Sequence, residues 1–590
     1  MQKPVGLIYG DVGSTEFNFT VEDQSLKKFD YVALAHKEGY VLAQVMDIKR
    51  YSDLSYESIK ALYGTGEIPK SINSDLAAHA EVIGYRDENG ILRTPRTPFD
   101  VGQPVYKASD ELIRHVLGLY ADEKSGAYIG LLKGHNIPVY LSIDVMVQKH
   151  VCILAKTGGG KSYACGVLAE ELMKKKVPVV IIDTHGEYVA MREPNRNKRD
   201  LQSMKRFGVS PRGYGGQIVE FTPLYKKGNS VHLTLDGTNL EAREILDILS
   251  AKLTGPQIGV LYQAIKQIKE FKQHYTIKDI IEVLNHAKSN AKWNVIAALE
   301  SLESLGIFSE KGISPQQIVR KGQCSVINLK GVPPDVQDVV VARLTKELFE
   351  ARKSGQIPPF MYIVEEAHNY CPERGYGNAV SSSILRTVAS EGRKFGMGLC
   401  VVSQRPAKVD KNVISQCNTN IILKVTNPND LRAIIQSVEG LTSETADEIK
   451  RLQVGVALVA GGSLTRPIMV EIRTRETSHG GRSITIISGE GEYKPVKIPE
   501  QPKIEKVEEK RPSKAEHVHR VANRLGWVST ATPDETIEIL SREAKKMKED
   551  PFKYLQSLAK LGEKYCHESN PLCIKCPMRE KCRYRLMKRR

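Results

Sequence analysis

The fold is decided by residues 151–183, which read VCILAKTGGGKSYACGVLAEELMKKKVPVVIID. A short apolar run, VCILA, is followed by a glycine-rich loop and then by YACGVLAEELMKKK, whose apolar residues recur at helical spacing. The next apolar run, VPVVIID, has the length of a buried strand. Strand, loop, helix and strand in this order predict the start of a parallel α/β sheet.

The loop, A155-K-T-G-G-G-K-S162, matches the phosphate-binding pattern G-x-x-x-x-G-K-[ST], except that Ala155 stands at the first glycine. Backbone N–H groups in such a loop curl around phosphate oxygens, and glycines let the backbone approach closely. Lys161 is expected to contact the β- and γ-phosphates of ATP, and the Ser162 hydroxyl to hold Mg²⁺. The candidate nucleotide contacts are Thr157, Gly158, Gly159, Gly160, Lys161, Ser162 and Tyr163.

Two carboxylates end another apolar run, M361-Y-I-V-E-E-A-H-N-Y370. A site for Mg²⁺ and a triphosphate needs one acid near the metal and one to activate the attacking water. Adjacent strand residues point to opposite faces, so a turn must re-aim one of the two. We assign the metal position to Glu365 and the catalytic base to Glu366.

A further strand, G398-L-C-V-V-S-Q404, ends in Gln404, which is predicted to sense the γ-phosphate from a neighbouring strand. The preceding stretch E391-G-R-K-F-G396 holds Arg393, a candidate finger that a neighbouring subunit would supply to neutralise transition-state charge. Arg386 competes for that role, and a structural salt bridge explains either arginine equally well.

The chain is organised into four predicted segments. Residues 1–110 alternate short β-rich runs with turns and predict a β-barrel or sandwich. Residues 111–487 form the α/β core, with helical spacing over about 238–310 that predicts a helical insertion. Residues 488–513 are rich in Pro, Glu and Lys and predict a linker. Residues 514–590 predict a small helical segment that ends in a cysteine cluster.

Composition narrows the class of partner. The formal net charge of +16 favours a polyanionic partner, such as nucleic acid or an anionic membrane. Apolar runs stay far below the roughly 20 residues of a membrane span, and the start, MQKPVGLIYG, lacks the layout of a secretory signal. We therefore predict a cytoplasmic protein with no membrane partner. Six scattered cysteines are expected to be buried thiols: Cys152, Cys165, Cys324, Cys371, Cys400 and Cys417.

Taken together, TGGGKS, D183-T-H-G-E-Y188, IVEEAH, EGRKFG, VVSQRP and R475-E-T-S-H-G-G481 resemble the HerA family over about residues 5–481. The resemblance implies an N-terminal HAS-barrel and a RecA-like P-loop ATPase core. It also implies a homo-hexameric ring that hydrolyses ATP and drives double-stranded DNA through its centre. A NurA-type nuclease is the partner implied, in DNA end resection during archaeal recombination repair.

By the same resemblance, Lys161 and Ser162 bind nucleotide, Glu366 activates water and Arg393 acts in trans. Arg475, which opens the last motif, is a further candidate nucleotide contact. Asp183 and Glu187 of DTHGEY are additional acids for the site or for coupling to DNA. Two alternatives stay open: an ATP-gated DNA clamp or assembly platform, and a DNA pump of the FtsK type.

The tail carries Cys566, Cys573, Cys576 and Cys582 with spacings of six, two and five residues. Four thiolates suffice for tetrahedral Zn²⁺ or a [4Fe–4S] cluster. The arrangement is similar to the iron–sulfur loop of endonuclease III-type glycosylases, so we favour the cluster. The upstream K514-A-E-H-V518 places Ala515 where that family has its catalytic aspartate. We expect binding of DNA or a repair partner, or a metal brace for folding, in place of base excision.

Overall fold

The computed structural model describes residues 3–52, 75–119, 123–224, 228–249, 252–462, 464–481, 514–567 and 571–587. These residues form two compact units, Met1–Ser483 and Ile484–Arg590. The predicted linker, 488–513, lies outside the described residues.

The first unit begins with a closed barrel of six antiparallel strands. The strands are β1 Gly6–Tyr9, β2 Glu16–Thr20, β3 Tyr31–His36, β4 Gly39–Tyr51, β5 Asp75–Arg86, β6 Leu92–Arg93 and β7 Pro104–Lys107. The short β6 is additional to the six and pairs antiparallel with the end of β5. The order β2-β1-β7-β3-β4-β5 closes because β5 also pairs with β2. Alternate residues fill the interior: Phe17 and Phe19 on β2 are buried. The predicted N-terminal β-barrel is thereby confirmed.

A twelve-stranded sheet follows in the same unit. In chain order the remaining strands are β8 Gly126–Leu132, β9 Pro138–Ser142, β10 Val151–Leu154, β11 Val179–Asp183, β12 Ile218–Thr222, β13 Ser230–His232, β14 Leu235–Asp236, β15 Phe308–Ser309, β16 Cys324–Asn328, β17 Phe360–Val364, β18 Met397–Ser403, β19 Thr419–Ile422, β20 Val456–Gly461 and β21 Ile468–Ile472. The sheet order is β13-β12-β16-β11-β17-β18-β10-β19-β20-β21-β8-β9, and β14 and β15 pair separately. Neighbours from β13 to β19 are parallel. Neighbours from β19 to β9 are antiparallel.

Helices cover the sheet and connect its strands. They are α1 Asp110–Leu117, α2 Ile143–Lys149, α3 Lys161–Lys174, α4 Lys198–Phe207, α5 Ala242–Ile248, α6 Gly255–Phe271, α7 Ile277–Asn285, α8 Lys292–Ser304, α9 Pro315–Ile318, α10 Pro334–Lys353, α11 Ser382–Phe395, α12 Lys411–Ser415, α13 Pro428–Ser437 and α14 Ser443–Arg451. Helices α5 to α8 lie within residues 238–310; that this segment is an insertion stays a prediction. In the described residues, no helix is both long and apolar enough to cross a membrane.

The order of the central strands decides where the site lies. Strand β10, which carries the glycine-rich loop, lies between β18 and β19, and β17 follows β18. These four strands are parallel, so their carboxyl ends meet at one edge of the sheet. Ligands of open α/β sheets bind outside the carboxyl ends of the strands. The core is thus arranged as a P-loop NTPase, as predicted.

The second unit is a small helical bundle. Its helices are α15 Lys514–Leu525, α16 Pro533–Lys546, α17 Pro551–Lys564 and α18 Arg583–Met587. Apolar side chains from the first three helices form its core, among them Val521, Leu540 and Leu558. Helices α15 and α17 cross so closely that a Cβ at Gly562 would lie 2.8 Å from the Cβ of His517.

Candidate nucleotide site

A cavity of about 960 Å³ lies at the carboxyl edge of the sheet. Residues of the glycine-rich loop line it, together with Glu366 and Gln404. Gly158 and Gly160 have φ values of 71° and 94°, the left-handed region that favours glycine. A Cβ at Gly159 would lie 2.9 Å from the carbonyl oxygen of Lys156, so the loop backbone is too tightly folded for a side chain there.

Ala155 fits the loop without the freedom of a glycine. Its side chain is fully buried, and its backbone does not adopt the left-handed conformation. Its N–H donates to the carbonyl oxygen of Ser403 on β18, at 3.3 Å. The departure from the common phosphate-loop pattern therefore leaves the loop geometry intact.

Lys161 lies between the two carboxylates that follow β17. Its Nζ donates a hydrogen bond to Oε1 of Glu366 and lies 3.8 Å from Oε1 of Glu365. Burial opposes the charge of Lys161, but both carboxylates raise its pKa above the usual value. The lysine is therefore a fixed cation at the loop, as a phosphate ligand must be.

Glu366 has an unusual backbone for a residue other than glycine. Its φ and ψ are 49° and 42°, in the left-handed region. Such a conformation costs on the order of 1–3 kcal/mol and is concentrated at functional sites. Here it supplies the turn that the sequence required, because Glu365 and Glu366 both come to face Lys161.

The two carboxylates also leave acceptor atoms unused. Oε2 of Glu365 and Oε2 of Glu366 are buried and have no hydrogen-bond partner. Burial raises the pKa of Glu365 to about 7, although Lys161 acts in the opposite direction. Unpaired carboxylate oxygens beside a phosphate loop suit a divalent cation. Ser162 and Glu365 would hold Mg²⁺, which commonly takes one or two protein ligands with phosphate oxygens and water.

The DTHGEY motif positions Glu365. The carboxylate of Asp183 accepts the backbone N–H groups of residues 185–188, at 2.7–3.3 Å, and so fixes the turn. The Tyr188 hydroxyl then donates to Oε1 of Glu365, at 2.8 Å. Sequence reasoning missed Tyr188, although its place at the end of a polar turn after a buried strand was a usable signal.

Replacing Tyr188 with Phe is expected to weaken Mg²⁺ binding. Loss of this hydrogen bond leaves Oε1 of Glu365 without its orienting donor, which typically costs about tenfold or more in metal affinity. The readout is the Mg²⁺ concentration that gives half-maximal ATP hydrolysis. Tyr214→Phe is a matched control, because that buried hydroxyl donates to Glu476. Equal shifts in both variants would contradict a specific role for Tyr188.

Gln404 and His368 lie beside the glycine-rich loop and the candidate base, respectively. Oε1 of Gln404 accepts the Thr157 hydroxyl at 2.5 Å, so the residue lies against the loop, as predicted from its strand. Nδ1 of His368 lies 3.2 Å from the Ser403 hydroxyl and 3.3 Å from Oε2 of Glu366. Burial lowers the pKa of His368, which favours the neutral ring next to the candidate base.

The three candidate arginines lie away from the cavity lining. Arg393 is exposed near the end of α11, and the Arg386 guanidinium donates to Asp410 at 2.7 Å. Arg475 is buried, and its guanidinium donates to Thr477 and to the carbonyl oxygen of Ser478. It packs on α3, where a Cβ at Gly166 would lie 2.5 Å from it. Direct contact of any of the three with nucleotide stays a prediction.

A buried charge cluster braces the helix that follows the loop. The Arg473 guanidinium donates to Glu170 at 2.9 Å and to Glu171 at 2.7 Å, and all three side chains are almost fully buried. Glu170 also accepts the backbone N–H and the hydroxyl of Thr477. Helix α3 is thereby held to the segment that follows β21.

In the second unit, the four tail cysteines line one cavity of about 30 Å³. Arg524 lies against them: its guanidinium is 3.5 Å from the Cys566 sulfur, and its carbonyl oxygen is 3.5 Å from the Cys582 sulfur. Burial raises the pKa of the Cys576 thiol, and the other three thiols act in the same direction. Among the described residues of the chain, no set of three ligating side chains has metal-binding geometry.

Residues 127–348 match the family described as "Helicase HerA, central domain". Curated relatives extend the match. The DNA double-strand break repair helicase HerA of Pyrococcus furiosus is 26% identical over 544 residues, covering 80% of this chain and 92% of the relative. That of Saccharolobus solfataricus is 27% identical over 524 residues, covering 85% and 97%. The probable HerA of Methanocaldococcus jannaschii is 29% identical over 453 residues, covering 69% and 87%.

The domain match covers the glycine-rich loop, α3 and the strands up to β16. The resemblance drawn from the motifs is therefore confirmed: over most of its length this chain is similar to the HerA helicases, and residues 127–348 match their central domain.

Proposed function

We propose that the chain is an ATP-hydrolysing, double-stranded DNA translocase or helicase of the HerA type. The observation that carries the proposal is the group of Lys161, Glu365 and Glu366 at the phosphate loop, beside a cavity of about 960 Å³. A phosphate loop, a lysine and paired acids are the parts that hydrolysis of a nucleoside triphosphate requires.

In this mechanism the phosphates of ATP enter the loop and attract Lys161. The lysine exchanges Glu366 for phosphate oxygens, and the freed carboxylate orients and deprotonates the attacking water. Ser162 and Glu365 would hold Mg²⁺, with Glu365 oriented by Tyr188. Gln404, already in contact with Thr157, lies where it can report the presence of the γ-phosphate.

The larger assembly is part of the same proposal. A homo-hexameric ring would let one subunit supply Arg393, which is exposed, to the site of its neighbour. Arg386 is the second candidate, although it would first have to leave Asp410. Relatives named as DNA double-strand break repair helicases support duplex DNA as the substrate. Cytoplasmic end resection as the process and a NurA-type nuclease as the partner are further parts of the proposal, drawn from the resemblance of the motifs to the HerA family.

The test measures ATPase stimulation by duplex DNA and displacement of a protein roadblock from that duplex. A translocase gives both. An ATP-gated clamp or assembly platform gives stimulated hydrolysis without displacement, and that result would replace the motor proposal. Native mass measurement in the same buffer distinguishes a hexamer from smaller assemblies.

For the tail we propose that Cys566, Cys573, Cys576 and Cys582 hold a [4Fe–4S] cluster. The support is that all four thiols line one cavity, with the Arg524 guanidinium beside them to favour anionic sulfur. A bound cluster would brace a bundle whose core is small. Basic side chains near it, including Lys575, Arg579 and Arg583, would then be held for contact with DNA phosphates or a repair partner.

Anaerobically purified protein is expected to contain about four iron atoms and four acid-labile sulfides per chain. Cys573→Ser/Cys576→Ser should lose both and should lower the melting temperature of the second unit. Cys417→Ser is a control, because that buried thiol lies in the first unit. Stoichiometric zinc without sulfide would overturn the cluster in favour of Zn²⁺.

A further inference from the structure

Helix α4 carries a stripe of cations that the nucleotide site does not use. At about 100° per residue, Lys205, Lys198 and Arg199 lie within roughly 120° of one another around the helix axis. All three are exposed, and none of them lines the nucleotide cavity. Gln202 and Arg206 lie between them in the same arc, so no acidic residue interrupts the stripe.

The opposite face of α4 holds the helix to the fold. Met204 is buried there, and the Tyr128 hydroxyl on β8 donates to the carbonyl oxygen of Phe207 at 3.0 Å. Asp200, the one acidic residue of the helix, accepts from the Tyr163 hydroxyl at 3.0 Å. The acid therefore lies on the face away from the cations.

The stripe is not an ordinary solvated helix face, on which both signs of charge are interspersed. Within the described part of the chain, Lys198, Arg199 and Lys205 form no ion pair, whereas Arg206 pairs with Glu471. Lys198 and Arg199 also lie in the first turn, where the helix dipole disfavours cations. The arrangement therefore costs the helix stability, and a bound polyanion would relieve the repulsion.

The chemistry of this face favours a phosphate backbone over a lipid surface. A helix that lies on a membrane needs a wide exposed apolar face beside its cations. On α4 the large apolar side chain outside the fold is Leu201, which is 39% exposed, while Met204 is 3% exposed. The helix is about 15 Å long, and duplex DNA carries one charge per about 1.7 Å of its axis.

The buried face of α4 is connected to the phosphate loop. Tyr163 lies in the first turn of α3, two residues after Lys161. Its hydroxyl donates to Oδ2 of Asp200 and accepts the backbone N–H of Arg475 at 2.9 Å. The Asn195 amide donates to the same Asp200 oxygen, at 2.8 Å, and to the Arg475 carbonyl oxygen, at 2.9 Å. A displacement of α4 therefore acts on the turn that presents Lys161.

We propose that α4 contacts the phosphate backbone of duplex DNA through Lys198, Arg199 and Lys205. We propose further that the contact of Asp200 with Tyr163 transmits DNA binding to the phosphate loop, so that this helix carries the stimulation of hydrolysis by DNA. The inference rests on the proposed function, and it adds to it an interaction surface and a positioning residue, Asp200.

The first test measures the affinity of the full chain for fluorescent duplex DNA over a range of salt concentrations. The triple variant Lys198→Gln/Arg199→Gln/Lys205→Gln is expected to bind at least about tenfold more weakly. The slope of log affinity against log salt should become shallower by about two to three, at roughly 0.9 per phosphate contact. Hydrolysis of ATP without DNA should stay unchanged, because the three side chains lie outside the cavity.

A second triple variant removes the same charge elsewhere on the first unit. Lys266, Lys288 and Lys311 are exposed and lie outside α4, so their replacement by Gln should leave the salt slope unchanged. Equal loss of affinity in both triple variants would overturn the proposed surface in favour of net charge alone. A smaller native mass in the α4 variant would also overturn it, and would assign the stripe to contact between subunits.

The second test concerns the connection to the loop. Asp200→Ala is expected to bind duplex DNA like the wild type, to keep the melting temperature and the rate without DNA, and to lose stimulation by DNA. Asp200→Asn should keep the stimulation, because the amide oxygen can still accept the Tyr163 hydroxyl. Normal stimulation in Asp200→Ala overturns the connection, and so does a fall in the rate without DNA, which indicates support of the loop alone.

The remaining outcomes distinguish the partner and the two proposals. Unchanged duplex affinity in the α4 variant, together with lost binding to phosphatidylserine vesicles, overturns DNA in favour of a membrane surface. A wild-type protein that hydrolyses ATP and binds duplex DNA, with an α4 variant that does both equally well, overturns this surface alone. A wild-type protein that neither hydrolyses ATP nor binds duplex DNA overturns the proposed function itself.

Discussion

Replacing Glu366 with Gln is expected to stop ATP turnover while leaving ATP binding intact. The amide keeps the size of the side chain but cannot accept the proton of the attacking water, and loss of a general base typically lowers the rate by about 10²–10⁴-fold. In the absence of nucleotide, Glu366 holds Lys161. Removing that carboxylate frees the lysine for phosphate, so we expect ATP affinity to be equal or higher.

The measurement pairs steady-state hydrolysis with equilibrium binding of a fluorescent ATP analogue. Glu373→Gln is the control, because Glu373 does not line the nucleotide cavity. Its carboxylate accepts a hydrogen bond from the backbone N–H of Lys411. Normal turnover in Glu366→Gln would remove this residue as the base and transfer the role to Glu365 or His368. Loss of both binding and turnover would indicate that Glu366 supports the loop.

Replacing Arg473 with Met is expected to destabilise the first unit strongly. Glu170 and Glu171 would remain buried, and Glu170 would keep only backbone and hydroxyl donors and the more distant Arg475, at 3.8 Å. Removing one partner of a buried ion pair costs about 3–5 kcal/mol, because the remaining charge is uncompensated. Lys174 still pairs with Glu171, so Glu170 carries most of the loss.

Denaturant unfolding followed by a probe in the first unit measures this effect. Lys450→Met is the matched control, since its ion pair with Asp447 is exposed to solvent and contributes little to stability. Adding Glu170→Gln to Arg473→Met should recover part of the stability, because it removes the unpaired charge. If the free energy of unfolding falls no further in Arg473→Met than in Lys450→Met, the buried charge cluster does not stabilise the first unit.

Local sequence patterns predicted the part of the α/β sheet that carries the nucleotide site. The glycine-rich loop, the parallel strands on both sides of it, and the positions of Glu366 and Gln404 at strand ends all follow from short stretches of sequence. Each depends on neighbours only a few residues away. The strand order then brings those ends to one edge of the sheet, so the side chains meet without further information.

What pattern could not predict depends on residues far apart in the chain. Arg473 pairs with Glu170 across 303 residues, and Glu471 pairs with Lys133 across 338. The direction of a side chain is equally hard to predict, because spacing in the sequence does not show that the Arg475 guanidinium points into the protein interior. Tyr188 is intermediate: its motif was recognised, but its contact with Glu365 required the turn that Asp183 fixes.

The far edge of the sheet has a consequence for synthesis of the chain. Strands β8 and β9 precede β10 in sequence but lie beyond β21, with Leu132 opposite Val470. Ribosomes add about 5–20 residues per second, so the 338 residues that separate Lys133 from Glu471 take roughly 20–70 seconds. During that interval the barrel can already close, whereas β8 presents an unpaired edge that invites aggregation. A nascent chain that stops before β21 should therefore depend on a chaperone.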